Sequence, residues 1–407
     1  MATKNPPERA SRQTIHLHSL PTSTFLGLDL LSLSTSPNFH GIRNLPPGYH
    51  FLYSAPNPSL SIRHGQWFVV SGTENPPPSV WRWSEEEEDV QPEADEDTAD
   101  EVRRRLTSVG DTGFVNYLDP GKQGELANDG EEHAQEWAKL SSFVKRPLLD
   151  RIFENRQRAD GHTWRISSVS SGRQDVEVIP GLEPSEAVIE GENRLNFLPI
   201  DLKKTWPEGA VGRERTLAAQ DRSWYFGHLI QQAAGSTGDR KLGAASLLGE
   251  LQLCFLMVLT LANWSCLEQW KRILGVLLTC QKALGEVTQY FVEVVKVLGL
   301  QLRHCDDVEG GLFDFKEDGA PWLRGLLNGF RHSVEECTGS DSLQTLREEL
   351  QKVEDYLSDH YGWNKRTEVL KRGLLELEDG EKVEMDLNGV DEEDETGEYA
   401  PVVVDIS

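Results

Sequence analysis

Basic surface, paired cysteines and catalytic signatures are what this chain has least of. It holds 41 Lys and Arg against 67 Asp and Glu, a formal net charge of -26 over 407 residues. Nucleic-acid binding needs a basic face to neutralise phosphates, so no direct nucleic-acid partner is expected. The basic cluster Arg103-Arg104-Arg105 follows directly on an acidic run and reads as a locally compensated helix start. Five cysteines, Cys254, Cys266, Cys280, Cys305 and Cys337, are odd in number, dispersed, and nowhere in C-x-x-C spacing. That usage fits reduced, buried thiols in a cytosolic or nuclear protein. Residues Met1 to Gln13 lack the apolar core of a signal peptide. The greasiest segment, Leu253 to Ala262, is too short to span a bilayer and reads as a buried helix, so no membrane partner is expected. Asn263-Trp264-Ser265 matches the glycosylation pattern, which is silent without secretion.

The signatures of common chemistries are missing as well. There is no G-x-S-x-G, no Walker loop, no H-E-x-x-H and no G-x-G-x-x-G. The 11 histidines do not cluster. His304-Cys305-Asp306-Asp307 has metal-ligand residue types, but neighbours on one element cannot all face one ion, so a helix end is the better reading. Glu85 to Glu88 has no EF-hand spacing around it. No catalytic, metal or cofactor residue is assigned. An enzyme whose site assembles only in space stays open as an alternative.

What is present is organised by charge. Glu85 to Glu101 carries eleven carboxylates and no Lys or Arg, and Glu376 to Ser407 carries thirteen against Lys382 alone. These two segments hold nearly all the net charge, so the bodies between them are close to neutral. The length implies two domains, because one core rarely grows beyond about 250–300 residues. Residues 12–160 show short aromatic and aliphatic runs between Leu45-Pro46-Pro47-Gly48, Pro56-Asn57-Pro58 and Asn75-Pro76-Pro77-Pro78, the punctuation of an antiparallel sandwich or barrel. Trp81 and Trp83 share one face of a strand and read as core. The acidic run 85–101 is expected to be a flexible insertion, and 131–156 a short helical cap bearing Trp137, Leu140, Phe143 and Val144. Residues 161–195 turn to Ser, Gly, Pro and Glu and read as a linker open to modification, with Ser168 and Ser170 as candidate phospho-switch positions.

Residues 196–372 read as helical. Leu251, Cys254, Val258 and Leu261, then Leu267, Trp270, Ile273 and Leu277, repeat at three-and-four spacing, with a tight bend at Asn263 to Ser265. Leu284, Val287, Phe291, Val294 and Leu298 form another stripe. Leu343, Leu346, Leu350, Val353 and Leu357 form a seam inside a bundle, capped at Ser340 or Asp341. The fold class is therefore α+β and multidomain: a β-sandwich or barrel-like domain, then an all-α domain, with a disordered acidic insertion and tail. The tail, 373–407, ends in Pro401, Val402, Val403, Val404, Asp405 and Ile406. Its valines favour an extended backbone, while the acidic stretch before them cannot bury enough apolar surface to order itself. Such a strand on a tether has three destinations: another protein's sheet edge, this chain's own N-terminal sheet, or none.

Specific residues also carry a family resemblance. Phe25-x-Gly27-x-Asp29, Pro37-Asn38-Phe39-His40-Gly41-Ile42 and Leu45-Pro46-Pro47-Gly48-Tyr49-His50-Phe51-Leu52-Tyr53 resemble the start of the Aar-two family, the a1-cistron splicing factors. Val80-Trp81-Arg82-Trp83, Asn196-Phe197-Leu198-Pro199-Ile200 and Trp206-Pro207-Glu208-Gly209-Ala210 follow in the family's order. So do Leu248-Gly249-Glu250-Leu251-Gln252 and Glu268-Gln269-Trp270-Lys271-Arg272-Ile273-Leu274. The resemblance implies a non-catalytic assembly factor for the U5 small nuclear ribonucleoprotein, with a VHS-like helical domain. Its implied partner is the large U5 scaffold splicing protein, bound through RNase H-like and Jab1/MPN-like domains in a cytoplasmic precursor. It would keep the U5 helicase off until phosphorylation-linked release, shuttle to the nucleus, and act as a monomer within that heterocomplex. The tail strand, Pro401 to Ile406, would add β-structure to the scaffold. A VHS-like trafficking adaptor is the remaining alternative.

Overall fold

A computed structural model describes residues 12–58, 61–73, 76–110, 112–118, 129–153, 157–158, 161–162, 164–176, 194–308, 321–337, 341–362, 372–376 and 382–386. The chain divides into two compact units. Unit 1 takes Met1–Phe197 with Gln252–Leu267, and unit 2 takes Leu198–Leu251 with Glu268–Ser407.

Unit 1 is built on two five-stranded sheets. One contains β1 (Gln13–His18), β4 (Gly41–Leu45), β7 (Ser79–Ser84), β8 (Asp89–Pro92) and β9 (Phe114–Asn116), in the order β8-β7-β1-β4-β9. The other contains β2 (Phe25–Leu28), β3 (Leu31–Ser34), β5 (Gly48–Ala55), β6 (His64–Val70) and β12 (Trp164–Ser167), in the order β12-β6-β5-β2-β3. The second is antiparallel throughout. The first is mixed, which corrects the expectation of a purely antiparallel domain: β1 runs parallel to β7, and β4 parallel to β9. Parallel pairs need long crossovers, and the chain between β1 and β7 supplies one by building most of the other sheet.

Strand alternation sorts the side chains. Ile15, Leu17, Leu26, Leu28, Trp81 and Trp83 enter one buried cluster. Val80, the residue before Trp81, joins Ala99, Val102 and Leu106 in a second. Those three lie on α1 (Glu96–Val109), so the acidic run is not a flexible insertion. Glu85 to Glu101 forms a turn, β8 and the first turns of α1. Asp95 caps the helix by accepting from Thr98 N, and Glu96 and Asp97 suit the positive end of its dipole. Arg103 lies mid-helix, not at its start, and pairs with Glu96 and Asp100, each at 2.7 Å. The carboxylates populate the outer face, while Ala99, Val102 and Leu106 keep an apolar stripe against Val80.

The helical cap comes in two pieces, α2 (Asp129–Leu140) and α3 (Arg146–Ile152). Trp137 of α2 stacks on Trp67 with ring centroids 5.7 Å apart and donates from Nε1 to Tyr49 O at 2.8 Å. Two short pairs, β10 (Gln157–Arg158) with β11 (Gly161–His162) and β13 (Ser171–Gly172) with β14 (Arg194–Leu195), complete the unit's strands among the described residues. With α4 (Arg173–Val176), they show that 164–176 is folded. The linker expectation fails over that stretch because β12 pairs residue by residue with β6.

The helices that follow are α5 (Arg213–Gln220), α6 (Ser223–Ala234), α7 (Arg240–Leu261), α8 (Trp264–Leu277), α9 (Lys282–Glu286), α10 (Thr288–Leu302), α11 (Pro321–Glu336) and α12 (Asp341–Tyr361). α7 is long and apolar enough to cross a membrane by length and composition, but 72% of that window is buried inside the fold. The stripe around Val287 is broken: Val287 separates α9 from α10 and is 43% exposed. Within unit 2, Glu250, Gln269 and the Leu198 backbone form a buried clasp. Glu250 Oε1 accepts from Leu198 N at 2.9 Å and from Gln269 Nε2 at 2.8 Å. Trp270 Nε1 donates to Gln301 Oε1 at 2.9 Å. The expected seam of α12 is real and intramolecular: Leu343, Leu346, Leu350, Val353 and Leu357 are buried, and Val353 Cγ2 sits against Gly299 of α10 with no room for a Cβ. His304 to Asp307 is a helix end, as expected, formed by a short 3-10 turn over Cys305–Asp307. Within the acidic tail, β15 (Arg372–Glu376) pairs with β16 (Lys382–Asp386), Leu374 opposite Glu384, so that part of it is a hairpin.

Because α1 is held by its apolar stripe, Leu106→Ala should cost about 2–4 kcal/mol of unit 1 stability, read from urea unfolding of the full chain. Charge-conserving changes on the outer face, such as Glu101→Asp, should leave the midpoint unmoved.

Candidate functional site

The loop after β12, Ser167 to Ser170, meets the junction of α7 and α8 inside unit 1. α7 is followed by Ala262, whose left-handed φ of +52° turns the chain, and its N–H donates to Val258 O at 2.9 Å. Asn263 then does two things with one fully buried amide. Its Oδ1 accepts from Cys266 N at 2.8 Å, the N-cap bond of α8. Its Nδ2 donates to Ser167 O at 2.9 Å and Ser170 O at 2.8 Å, holding both ends of the loop. Ser265 adds a second tie, accepting from Gly172 N at 2.7 Å and donating to Asp175. Arg63 closes the third side. Its O accepts from Ser168 N at 2.9 Å, its N donates to Ser168 Oγ at 3.2 Å, and its Nη1 donates to Thr260 O at 3.1 Å. The same Asn263 amide cannot carry a glycan in this fold.

Three large apolar side chains flank this hub and face solvent. Ile62 precedes Arg63, Val169 tops the loop, and Trp264 follows Asn263; they are 48%, 51% and 58% exposed. The backbone beneath them is fixed by the bonds just described, so the three sit on a rigid seat.

A second polar cluster lies in the core of unit 1. Asp29 is fully buried at the turn between β2 and β3, with φ of +57°. Its carboxylate accepts from His50 Nδ1 at 2.6 Å, Tyr117 OH at 2.5 Å and Phe51 N at 2.8 Å. His50 Nε2 donates to Pro46 O at 2.8 Å. Both ring nitrogens thus face acceptors, which only the imidazolium can satisfy. Burial opposes that charge, but the charge and hydrogen bond of Asp29, with the bond to the Pro46 carbonyl, together raise His50 above its ordinary value. Burial, and then the same carboxylate, push the Tyr117 phenol up. His16 is pushed the other way, down to about 4, by burial and by the nearby Arg103 and His40. With every acceptor and donor engaged and no exposed nucleophile among them, the Asp29 cluster positions strands. Among the described residues, no group of three or more His, Cys, Asp or Glu side chains has metal-site geometry. The buried thiols Cys280 and Cys305 are pushed up by burial, so both remain protonated.

The expected site residues fall differently. Ser170 is 2% exposed, and its hydroxyl accepts from Ser167 N at 2.9 Å, so a phosphate there requires the loop to leave its seat. Ser168 is partly exposed, with Oγ accepting from Arg63 N at 3.2 Å. Pro401, Val402, Val403, Val404, Asp405 and Ile406 lie outside the described residues. Asn263 was visible in the sequence only as a bend. Its type, an N-cap former between two apolar stripes, was the available signal.

A two-sheet β domain followed by a helical region, an α+β architecture, is the class of protein that this geometry defines. The chain matches the AAR2 N-terminal domain over residues 11–154 and the AAR2 C-terminal repeat region over 197–366. It is 24% identical to the Protein AAR2 homolog of Homo sapiens over 416 residues, covering 94% of this chain and 99% of that protein. The homolog of Pongo abelii is likewise 24% identical, covering 93% and 98%, and that of Caenorhabditis elegans is 23% identical, covering 70% and 77%. The chain belongs to the AAR2 family.

Two predictions test these clusters. Asn263→Ala removes a cap and takes a donor from each of two carbonyls, Ser167 O and Ser170 O, so unit 1 should lose about 2–4 kcal/mol. Hydrogen exchange at Ser168 and Ser170 should rise with it; unchanged exchange would show that the loop holds itself. The two histidines set opposite pH limbs. His50 binds its proton more tightly when folded, so its contribution is complete below about pH 6.5 and fades as pH rises through the raised value. His16 binds its proton less tightly when folded, so stability falls as pH drops from about 6.5 towards 4. His50→Gln should flatten the alkaline limb of the urea midpoint, and His16→Gln the acidic limb.

Proposed function

We propose that this chain is a pre-mRNA splicing factor that acts in assembly of the U5 small nuclear ribonucleoprotein. The observation that carries this reading is membership of the AAR2 family over both the β domain and the helical region. In finer terms, the chain binds the large U5 scaffold splicing protein through its RNase H-like and Jab1/MPN-like domains. It does so in a cytoplasmic precursor, holds the U5 helicase off the scaffold, and gives way to the helicase in the nucleus on a phosphorylation-linked signal. It works by occupancy, as one copy in a heterocomplex, without catalysis, nucleic-acid contact or membrane attachment. The low basic content and the absence of common catalytic motifs support this reading. So does the seated apolar trio of Ile62, Val169 and Trp264, the kind of exposed surface that protein partners cover.

The tail strand, Pro401 to Ile406, contributes by pairing with a sheet edge of the scaffold. Docking of the folded body raises its effective concentration into the mM range, so a short contact counts. Deleting Pro401 to Ser407 should weaken scaffold binding ten-fold or more, about 1.4 kcal/mol by calorimetry. Equal affinity of the truncated and intact chains would remove the tail from the mechanism. Mass spectrometry of material recovered with the native factor should contain the U5 scaffold and U5 RNA without the helicase.

A further inference from the structure

Among the described residues, β3 is an edge strand with β2 as its one neighbour in the sheet. The turn between them has two residues, Asp29 and Leu30, with Leu28 opposite Leu31. In a two-residue hairpin that closing pair is hydrogen-bonded, and bonding alternates from there. Leu31 and Leu33 therefore point their backbone groups at β2, while Ser32 and Ser34 point theirs away from the sheet. No strand among the described residues meets them. The Ser32 and Ser34 side chains are exposed, and Leu31 and Leu33 are half-buried.

Sheet edges are normally guarded by charge, proline or a bulge. β3 has none of these guards. From Leu30 to His40 there is no Asp, Glu, Lys or Arg, in a chain that is 27% charged. Pro37 comes three residues after the strand ends. The outward N–H and C=O groups of Ser32 and Ser34, which no described strand meets, match the spacing of another extended backbone.

We propose that β3 is a self-pairing edge, through which a second copy of this chain docks antiparallel and continues the sheet. Ser32-Leu33-Ser34 reads the same in both directions, so one two-fold axis at Leu33 satisfies every free group. Ser32 N–H donates to the carbonyl of the partner's Ser34, and the partner's Ser34 N–H donates back, with the same exchange repeated by symmetry. Leu33 meets the partner's Leu33 at a non-hydrogen-bonded position, where opposing Cα atoms come within about 4.5 Å. Leucine faces leucine on one side of the sheet, and serine faces serine on the other. This is the isologous interface that closed dimers use. The self-complementary register favours a second copy, which brings leucine to leucine and serine to serine by symmetry alone, where an unrelated strand would have to supply that match separately.

The charge of the chain adds a signature. Two copies each at -26 repel at long range, while the edge itself is uncharged. Salt screens the repulsion and leaves the backbone bonds intact, so pairing should strengthen as ionic strength rises. An interface held by ion pairs would respond in the opposite sense. This inference does not rest on the splicing reading, and neither test decides the other.

The experiment is sedimentation equilibrium of the full chain over about a hundred-fold range of concentration, at low and high salt, with hydrogen exchange read at Ser32 and Ser34. Expected is a monomer–dimer equilibrium that shifts to dimer with salt, with both amides protected in step with dimer content. The double variant Ser32→Lys with Ser34→Lys places like charges opposite one another and should weaken association about ten-fold or more. Both side chains are exposed, so the fold is kept, and the variant lowers the net negative charge, so long-range repulsion cannot explain the loss. Urea unfolding of the variant checks that stability is unchanged. A monomer at every concentration and salt would overturn the proposal. So would a dimer whose Ser32 and Ser34 amides still exchange freely, or one that survives the double substitution.

Discussion

The buried carboxylate of Asp29 is the interaction on which the β domain depends. It lies at a turn with a left-handed backbone, a costly place for a residue other than glycine. In return it accepts from β5 through Phe51 N and His50, and from Tyr117, which directly follows β9 of the other sheet. One side chain therefore fixes the β2–β3 hairpin, sets the register of β5 against it, and joins the two sheets through their common core. Removing a partner from a buried charge costs more than the pair contributes on balance, so each member protects the others from loss.

The sequence made some of this legible and hid the rest for physical reasons. The pair Trp81 and Trp83, the bend at Asn263 and the seam of α12 could be read because each is a local spacing tied to one period. The Asp29 cluster could not be read as a cluster: His50 and Tyr117 are 21 and 88 positions away, and nothing local announces that they converge. All the same, the stretches of chain that carried the family resemblance at the N-terminus hold Asp29, Pro46 and His50. α1 was misread because eleven carboxylates masked a three-residue apolar stripe; a charge count sees composition and not the face on which charge lies. The loop at Ser167 to Ser170 was misread for the reverse reason. Its small polar residues look like a linker, while its order comes from backbone carbonyls that Asn263 and Arg63 engage.

The polar residues in the apolar helices follow one pattern. Glu250, Gln252, Asn263, Gln269 and Gln301 are each fully or almost fully buried, and each spends its side chain on another segment's backbone or amide. They carry little of the hydrophobic driving force. Their contribution is to choose one arrangement of greasy helices over the many that would bury the same area.

Unit 1 is discontinuous in the chain: its β strands end before residue 197, yet it also takes residues 252–267. On the ribosome the β domain therefore emerges incomplete. The Ser167–Ser170 loop and the turn after α2 wait for Asn263 and Gln252, which arrive after the intervening helices have been made. At about 5–20 residues per second that interval lasts several seconds, long compared with the collapse of a small domain. Over that time the half-made unit presents its unfinished loop seat and open sheet edges together. Synthesis order thus leaves unit 1 to close only after residues 252–267 have been made.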